Sequence, residues 1–229
     1  MNSLTSSISS HAAIILAAGA SSRYGANKLL EPFGEGTVLG AVVAAALASQ
    51  ARPVLVVTGH AREAVEAVLP QGAGVSVVHN PGHAEGEMAS SIKVGLAWLG
   101  EHAPGTRGAL IILGDLPLLS AAMLNDVLAR AAQGGARIVA PRYQGQRGHP
   151  VWLARDVWDE AMALKPGAQL RELLRARPDD VLLFDVDDPA ILMDVDTPEQ
   201  MREAKNAQRI VLERPPPAKP GEAAPSHWF

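Results

Sequence analysis

The sequence predicts an α/β protein with three layers, a mostly parallel sheet carrying helices on both faces. Two observations lead there. Short apolar runs rich in Ile, Val and Leu recur along the chain, as strands buried on both faces of a sheet require. Segments of helical period alternate with them, and that alternation implies crossover connections between parallel strands.

Taken in order, the first strand is expected at 12–18, where Ile14, Ile15 and Leu16 form the apolar run and Gly19 ends it. Strands follow at 53–58, 74–79, 109–113 and 136–140, with a later pair near 181–186 and 191–194. Helical periods fill the intervals at about 36–49, 61–69, 87–99, 120–132, 155–164, 167–176 and 197–209. Asn80-Pro81-Gly82 breaks the chain after the third strand. Gly145 to Trp152 reads as a turn into a short strand, and Thr197-Pro198 as a helix start, Thr capping and Pro at the first helical position. Arg62, Glu63 and Glu66 form a solvated helix face, while Trp98, Trp152 and Trp158 are expected to pack. Five serines in residues 1–10 mark a disordered leader, 11–210 is read as one domain, and 211–229, with Pro215, Pro216, Pro217, Pro220 and Pro225, as a disordered tail.

Composition narrows the function classes. A net charge of −4 gives no broad basic footprint for nucleic acid. The absence of cysteine removes disulfides, Cys-ligated zinc and thiol catalysis. No run approaches the ~18 apolar residues of a membrane span. The expectation is a soluble, cytoplasmic protein.

Ligands of open parallel sheets bind beyond the carboxyl ends of the strands, so candidate residues are sought there. After the first strand, the small residues Ala17 to Ser22 let an anion reach main-chain N–H groups, and Arg23 and Lys28 add positive charge. The spacing fits neither common phosphate motif: five residues separate Gly19 from Gly25, Lys28 is followed by Leu29, and Ser21 stands where a dinucleotide loop needs Gly. An ordinary strand-to-helix connection has the same composition. After the fourth strand, Gly114-Asp115-Leu116-Pro117 offers either a carboxylate for Mg²⁺ or a turn and cap residue. Asp194 and Asp196, two apart in an extended segment, would point to one side and address one cation. His79 and His83 are four apart, a zinc spacing only on a helix, which Pro81 forbids.

The segment Leu16-Ala-Ala-Gly-Ala-Ser-Ser-Arg-Tyr-Gly-Ala-Asn-Lys28 resembles the signature loop of the molybdenum cofactor nucleotidyltransferases, with Tyr24 where Met is usual. Gly114-Asp115-Leu116-Pro117, Asp194-Val195-Asp196-Thr197-Pro198-Glu199, Asn80-Pro81 with Ser91, and Gly148-His149-Pro150 are similar to further motifs of that family, in the expected order. The resemblance implies a Rossmann-like nucleotidyltransferase fold. It implies that Leu16, Ala17, Ala18, Gly19, Ser21, Arg23 and Lys28 hold the incoming nucleotide, with Arg23 and Lys28 on the triphosphate, and that Asn80 and Ser91 face base and ribose. It further implies that Gly114 and Asp115 form the catalytic turn, that Asp115 and Asp196 bind Mg²⁺, and that His149 lies on the side of the second substrate. Arg142 and Arg147 could meet an anionic acceptor there. Ala17-Ala18-Gly19 is similar to the cytidylyl-transferring branch, Ala18 acting as a size filter against purines. The implied reaction is CMP transfer from CTP to molybdopterin-type cofactor. Guanylyl transfer, activation of a sugar or polyol phosphate, and a non-catalytic carrier that delivers cofactor to a molybdenum hydroxylase apoenzyme are the alternatives.

Overall fold

The computed structural model describes residues 11–21, 24–70, 72, 74–85, 88–165 and 167–213. The expected leader and the proline-rich tail beyond 213 lie outside the described residues.

The strands are β1 (His11–Ala17), β2 (Pro32–Phe33), β3 (Gly36–Thr37), β4 (Val54–Thr58), β5 (Val75–His79), β6 (Gly108–Leu113), β7 (Ile138–Tyr143), β8 (Gln146–Arg147), β9 (Val151–Ala154) and β10 (Val181–Asp185). The helices are α1 (Val38–Ala48), α2 (Arg62–Ala67), α3 (Met88–His102), α4 (Ala121–Ala132), α5 (Trp158–Met162), α6 (Leu170–Ala176) and α7 (Pro198–Glu213). The main sheet runs β10-β7-β9-β6-β1-β4-β5, with β8 on the end of β7, and β2 with β3 forms a separate hairpin.

β1 is central because it is apolar on both faces. Ala13, Ile15 and Ala17 enter one core with residues of α1, α4 and α7, and Ala12 and Ile14 enter the other with α3, α5 and α6. β4 and β6 alternate in the same way, which is the three-layer arrangement expected from the sequence. α3 lies close against the sheet at Gly95, where a Cβ would stand 2.7 Å from Ile14 Cγ2.

β1 pairs in parallel with β4 from Ala13–Val54 to Ala17–Thr58, and with β6 from His11–Gly108 to Leu16–Leu113. The chain leaves β1 toward β4 and β5 on one side and returns to β6 on the other. The connections therefore diverge between β1 and β6, and the crevice expected at such a switch point opens beyond their carboxyl ends.

β9, wedged between β6 and β7, and the short β8 beside β7 are the antiparallel strands of the main sheet. Gln144 and Gly145, both at positive φ (46° and 82°), close a two-residue hairpin that turns β7 back into β8, and the chain continues reversed.

Two sequence expectations need correction. The helix foreseen at 36–49 begins at Val38: Gly36 and Thr37 pair with Phe33 and Pro32, and Thr37 Oγ1 then accepts from Gly40 N at 3.1 Å as the cap. No strand forms at 191–194. Asp188 accepts from Ala190 N at 2.9 Å, Pro189 follows, and Pro189–Leu192 winds into a 3-10 turn that removes its backbone from any ladder. The last helix runs to Glu213, past the expected 209, and Thr197 caps it by accepting from Gln200 N at 3.2 Å.

Candidate active site

A cleft of about 330 Å³ lies at the carboxyl ends of β1 and β6. It gathers Leu16, Ala18, Gly19, Ser21, Lys28, Ser91, Asp115, Asp194 and Asp196 of the residues singled out in the sequence, and is also lined by Tyr24, Leu29, His83, Met88 and Leu113. Arg23 lies outside the described residues.

The loop after β1 is shaped by local bonds. Ser21 sits at φ 52°, its carbonyl accepts from Tyr24 N at 2.9 Å, and its hydroxyl accepts from Lys28 N at 3.3 Å. Asn27 Oδ1 accepts from Leu29 N at 3.2 Å and starts the 3-10 turn Lys28–Leu30. The chain thus folds back and carries the Lys28 side chain into the cleft. At Gly19 a Cβ would meet nothing within 4 Å, so the missing side chain leaves backbone open to a ligand instead of relieving a packing clash.

Asp115 is placed by its neighbour. Gly114 N donates to Leu16 O at 2.9 Å, and a Cβ at Gly114 would stand 2.8 Å from that carbonyl, so only glycine lets β6 end this close to β1. Val195 N donates to Asp115 O at 3.0 Å, which draws the segment before α7 across the cleft. Val195 is fully buried while Asp194 and Asp196 on either side both line the cleft, so the two carboxylates share a side although they are on no strand.

Lys28 Nζ lies 2.5 Å from Asp115 Oδ2 and 2.5 Å from Asp196 Oδ1. Burial pulls the Lys28 ammonium toward lower pKa, but attraction by Asp115 and hydrogen bonds to both carboxylates outweigh it and raise the pKa above the ordinary lysine value. Asp194 is pushed above the usual carboxylate range, by burial first and then by repulsion from Asp115 and Asp196. Three acidic side chains converge where one ammonium offsets part of their charge. Asp115 Oδ1 is buried with no hydrogen-bond partner, a hard oxygen left for a cation. Among the described residues no group of three or more His, Cys, Asp or Glu is placed to hold a metal ion by itself. An open pair of carboxylates is what Mg²⁺ takes when phosphate oxygens complete its shell.

At the other end of the cleft, Asn80 is buried and ties the turn together: its Nδ2 donates to Ser90 Oγ at 2.8 Å and Ser91 Oγ at 3.0 Å, and its Oδ1 accepts from Gly82 N at 2.9 Å. Asn80 holds Ser91 and does not itself line the cleft. Ala17 is also off the cleft wall, its methyl in the core under α1. His149 sits behind the wall: its N donates to Ile191 O at 3.0 Å and its Nδ1 stands 3.4 Å from Ile111 O. Burial, with the charge of Arg147 adding to it, lowers its pKa to about 4, so the imidazole is neutral near pH 7. Arg142, which the sequence offers to an anionic acceptor, is engaged with Asp185 through two bonds of 2.7 and 2.9 Å.

Fold and cleft together define a class, an α/β protein with a cleft at the switch point of its sheet, where ligands of such folds bind. Residues 13–181 match the MobA-like NTP transferase domain, and the chain belongs to that family. It is a nucleotidyltransferase. The molybdenum cofactor cytidylyltransferase of Escherichia coli (strain K12) is 26% identical over 192 residues, 84% of this chain and 94% of that one. The crystal structure of Rv0371c from Mycobacterium tuberculosis H37Rv is 29% identical with a TM-score of 0.74, covering 86% of this chain and 98% of its own. A second structure of Rv0371c, in complex with manganese, is 28% identical with a TM-score of 0.71 and the same coverage. No helix among the described residues is long and apolar enough to cross a membrane.

Met88 belongs to a stretch that the family resemblance turns toward base and ribose, and it lines the cleft. The sequence does not single out Leu29 and Leu113, and it offers His83 only as half of a zinc spacing. Leu29 and Leu113 adjoin chosen residues, Lys28 and Gly114, and could have been found by extending each motif. His83 carries no such signal, because its place depends on the path of the chain after β5.

Proposed function

We propose that the protein transfers CMP from CTP to the terminal phosphate of molybdopterin-type molybdenum cofactor and releases pyrophosphate, as a Mg²⁺-dependent cytoplasmic enzyme. The observation that carries this reading is the meeting of Lys28, Asp115 and Asp196 within hydrogen-bonding distance, beside the open backbone at Gly19. The E. coli relative supports the nucleotide and acceptor, and the manganese complex of Rv0371c supports a divalent ion.

Asp115 and Asp196 would hold the ion, and Asp194 adds negative charge beside them. When bound, the ion neutralises phosphate charge and activates the α-phosphorus. An oxygen of the acceptor's phosphate forms the new bond to the α-phosphorus, the bond from that phosphorus to the bridging oxygen of the β-phosphate breaks, and pyrophosphate leaves with the electron pair. No side-chain nucleophile is needed. The chain's part is to bind and align: backbone at Gly19 meets phosphate oxygens, Lys28 and Arg23 offset charge on the departing pyrophosphate, and Asn80 fixes Ser91 toward the ribose. Ala18 is 6% exposed, with Gly59 packed behind its methyl, and in this reading that methyl is the size filter that favours cytosine over guanine.

The test is pyrophosphate release by purified protein given Mg²⁺, molybdenum-loaded molybdopterin and either CTP or GTP. Release with CTP is expected; release with GTP alone would reassign the base, and tight cofactor binding without release would leave a carrier that delivers cofactor to a hydroxylase. Asp115→Ala should abolish turnover with little change in the thermal unfolding curve, and near-normal turnover would remove Asp115 from catalysis.

A further inference from the structure

Resting on the nucleotide reading above, we infer that His83 is the side chain that reads the base, donating its ring N–H to the acceptor edge of cytosine, O2 and N3. The direction of the bound nucleotide follows from the sheet. Lys28, Asp115 and Asp196 mark the phosphate end over β1 and β6. β4 and β5 continue the sheet on the far side of β1, so the end of β5 lies three strand spacings from β6, about 14 Å. A nucleoside triphosphate laid along the cleft from its phosphate end therefore carries its base over β4 and β5.

Three histidines meet at that end, from connections after both strands. His60 follows β4, His79 ends β5, and His83 begins the 3-10 turn beyond it. The His83 ring meets His79 edge-on at 5.6 Å and 61°, and His60 at 6.4 Å and 63°. Its backbone is fixed by His83 N donating to Asn80 O at 3.3 Å. Its Cβ packs where Gly59 has none: an added Cβ at Gly59 would stand 2.6 Å from His83 Cβ and 2.7 Å from Ala18 Cβ. Gly59 thus lets the two approach and form one wall. Of the three histidines, His83 lines the cleft, and among the described residues its ring nitrogens make no hydrogen bond. A neutral imidazole presents one donor and one acceptor, and a fixed ring aims them without a further ordering cost. Ala18 limits size, whereas His83 supplies the polar contact, with the rings of His60 and His79 edge-on beside it.

The experiment is calorimetric titration of the full chain, in Mg²⁺, with CTP and separately with inorganic tripolyphosphate, which occupies the phosphate end and has no base. His83→Phe keeps the ring contacts and loses the N–H; His83→Gln restores a donor on a different frame. Expected is a roughly tenfold weaker Kd for CTP in His83→Phe, about 1.4 kcal/mol, with tripolyphosphate changed less than about twofold and much of the CTP affinity regained in His83→Gln. Unchanged CTP affinity in His83→Phe overturns the inference, and so does an equal loss for both probes, which marks a structural role. A wild-type protein that binds tripolyphosphate but not CTP overturns the cytidylyl reading itself, a failure visible before any variant is compared.

Discussion

Lys28 shows how one side chain serves both fold and site. Its ammonium bridges Asp115 and Asp196, and the three side chains are only 12 to 19% exposed. Removing the charge leaves two carboxylates facing Asp194 without offset. Lys28→Met should therefore lower the unfolding free energy by about 2 kcal/mol in metal-free buffer, less than a fully buried pair because some solvent reaches the groups. Millimolar Mg²⁺ should restore most of the loss, as thermal melts with and without chelator would show. Asp194 behaves oppositely. Its raised pKa means that the fold favours its protonated form: this contribution is present below the ordinary carboxylate value and disappears as pH rises through the raised one. Once ionised, Asp194 repels its neighbours. Asp194→Asn should raise the melting temperature at pH 7.5 without metal and give no gain near pH 3; equal shifts at both values would show that repulsion is not the cause.

At the scale of elements, close approaches decide where the functional ends of strands fall. Gly114 brings β6 against Leu16 O, and Gly95 seats α3 on Ile14. At Gly95 the helix itself would prefer alanine by about 1 kcal/mol. The added methyl would stand 2.7 Å from Ile14 Cγ2 and 3.2 Å from Val57 Cγ2, in a core without spare volume. Overpacking costs about 1 to 3 kcal/mol, so Gly95→Ala should destabilise on balance, by about 1 kcal/mol in denaturant titration. A stabilised variant would mean that α3 can lift from the sheet without penalty. The short segment Asp194–Asp196 makes a related point, since its placement depends on Val195 bonding to Asp115 and not on a ladder.

Over the whole molecule, the sheet order places the cleft between two divergent halves, with residues from both ends of the domain meeting there. A ligand that spans them stabilises the folded state by mass action. CTP with Mg²⁺ at about a hundred times its Kd should add about 2.7 kcal/mol, measured as a rise in melting temperature that Lys28→Met reduces. No shift at saturating nucleotide would count against the cleft as the binding site.

The sequence by itself determined the strand and helix alternation, the burial of the strands on both faces, the cap at Thr197, and Asp115 at a strand end, because periodicity and turn chemistry act over a few residues. It also carried the pairing of Asp194 and Asp196 on one side, although the strand expected at 191–194 is a 3-10 turn followed by a segment tied to Asp115 through Val195 N. Only the tertiary structure decided that Lys28 lies between Asp115 and Asp196, that Arg142 is taken by Asp185, and that His83 reaches the cleft. These are contacts between residues far apart in the chain or on separate loops, and no local pattern records them. They follow from the order in which the strands pack and from how closely glycine lets their ends approach.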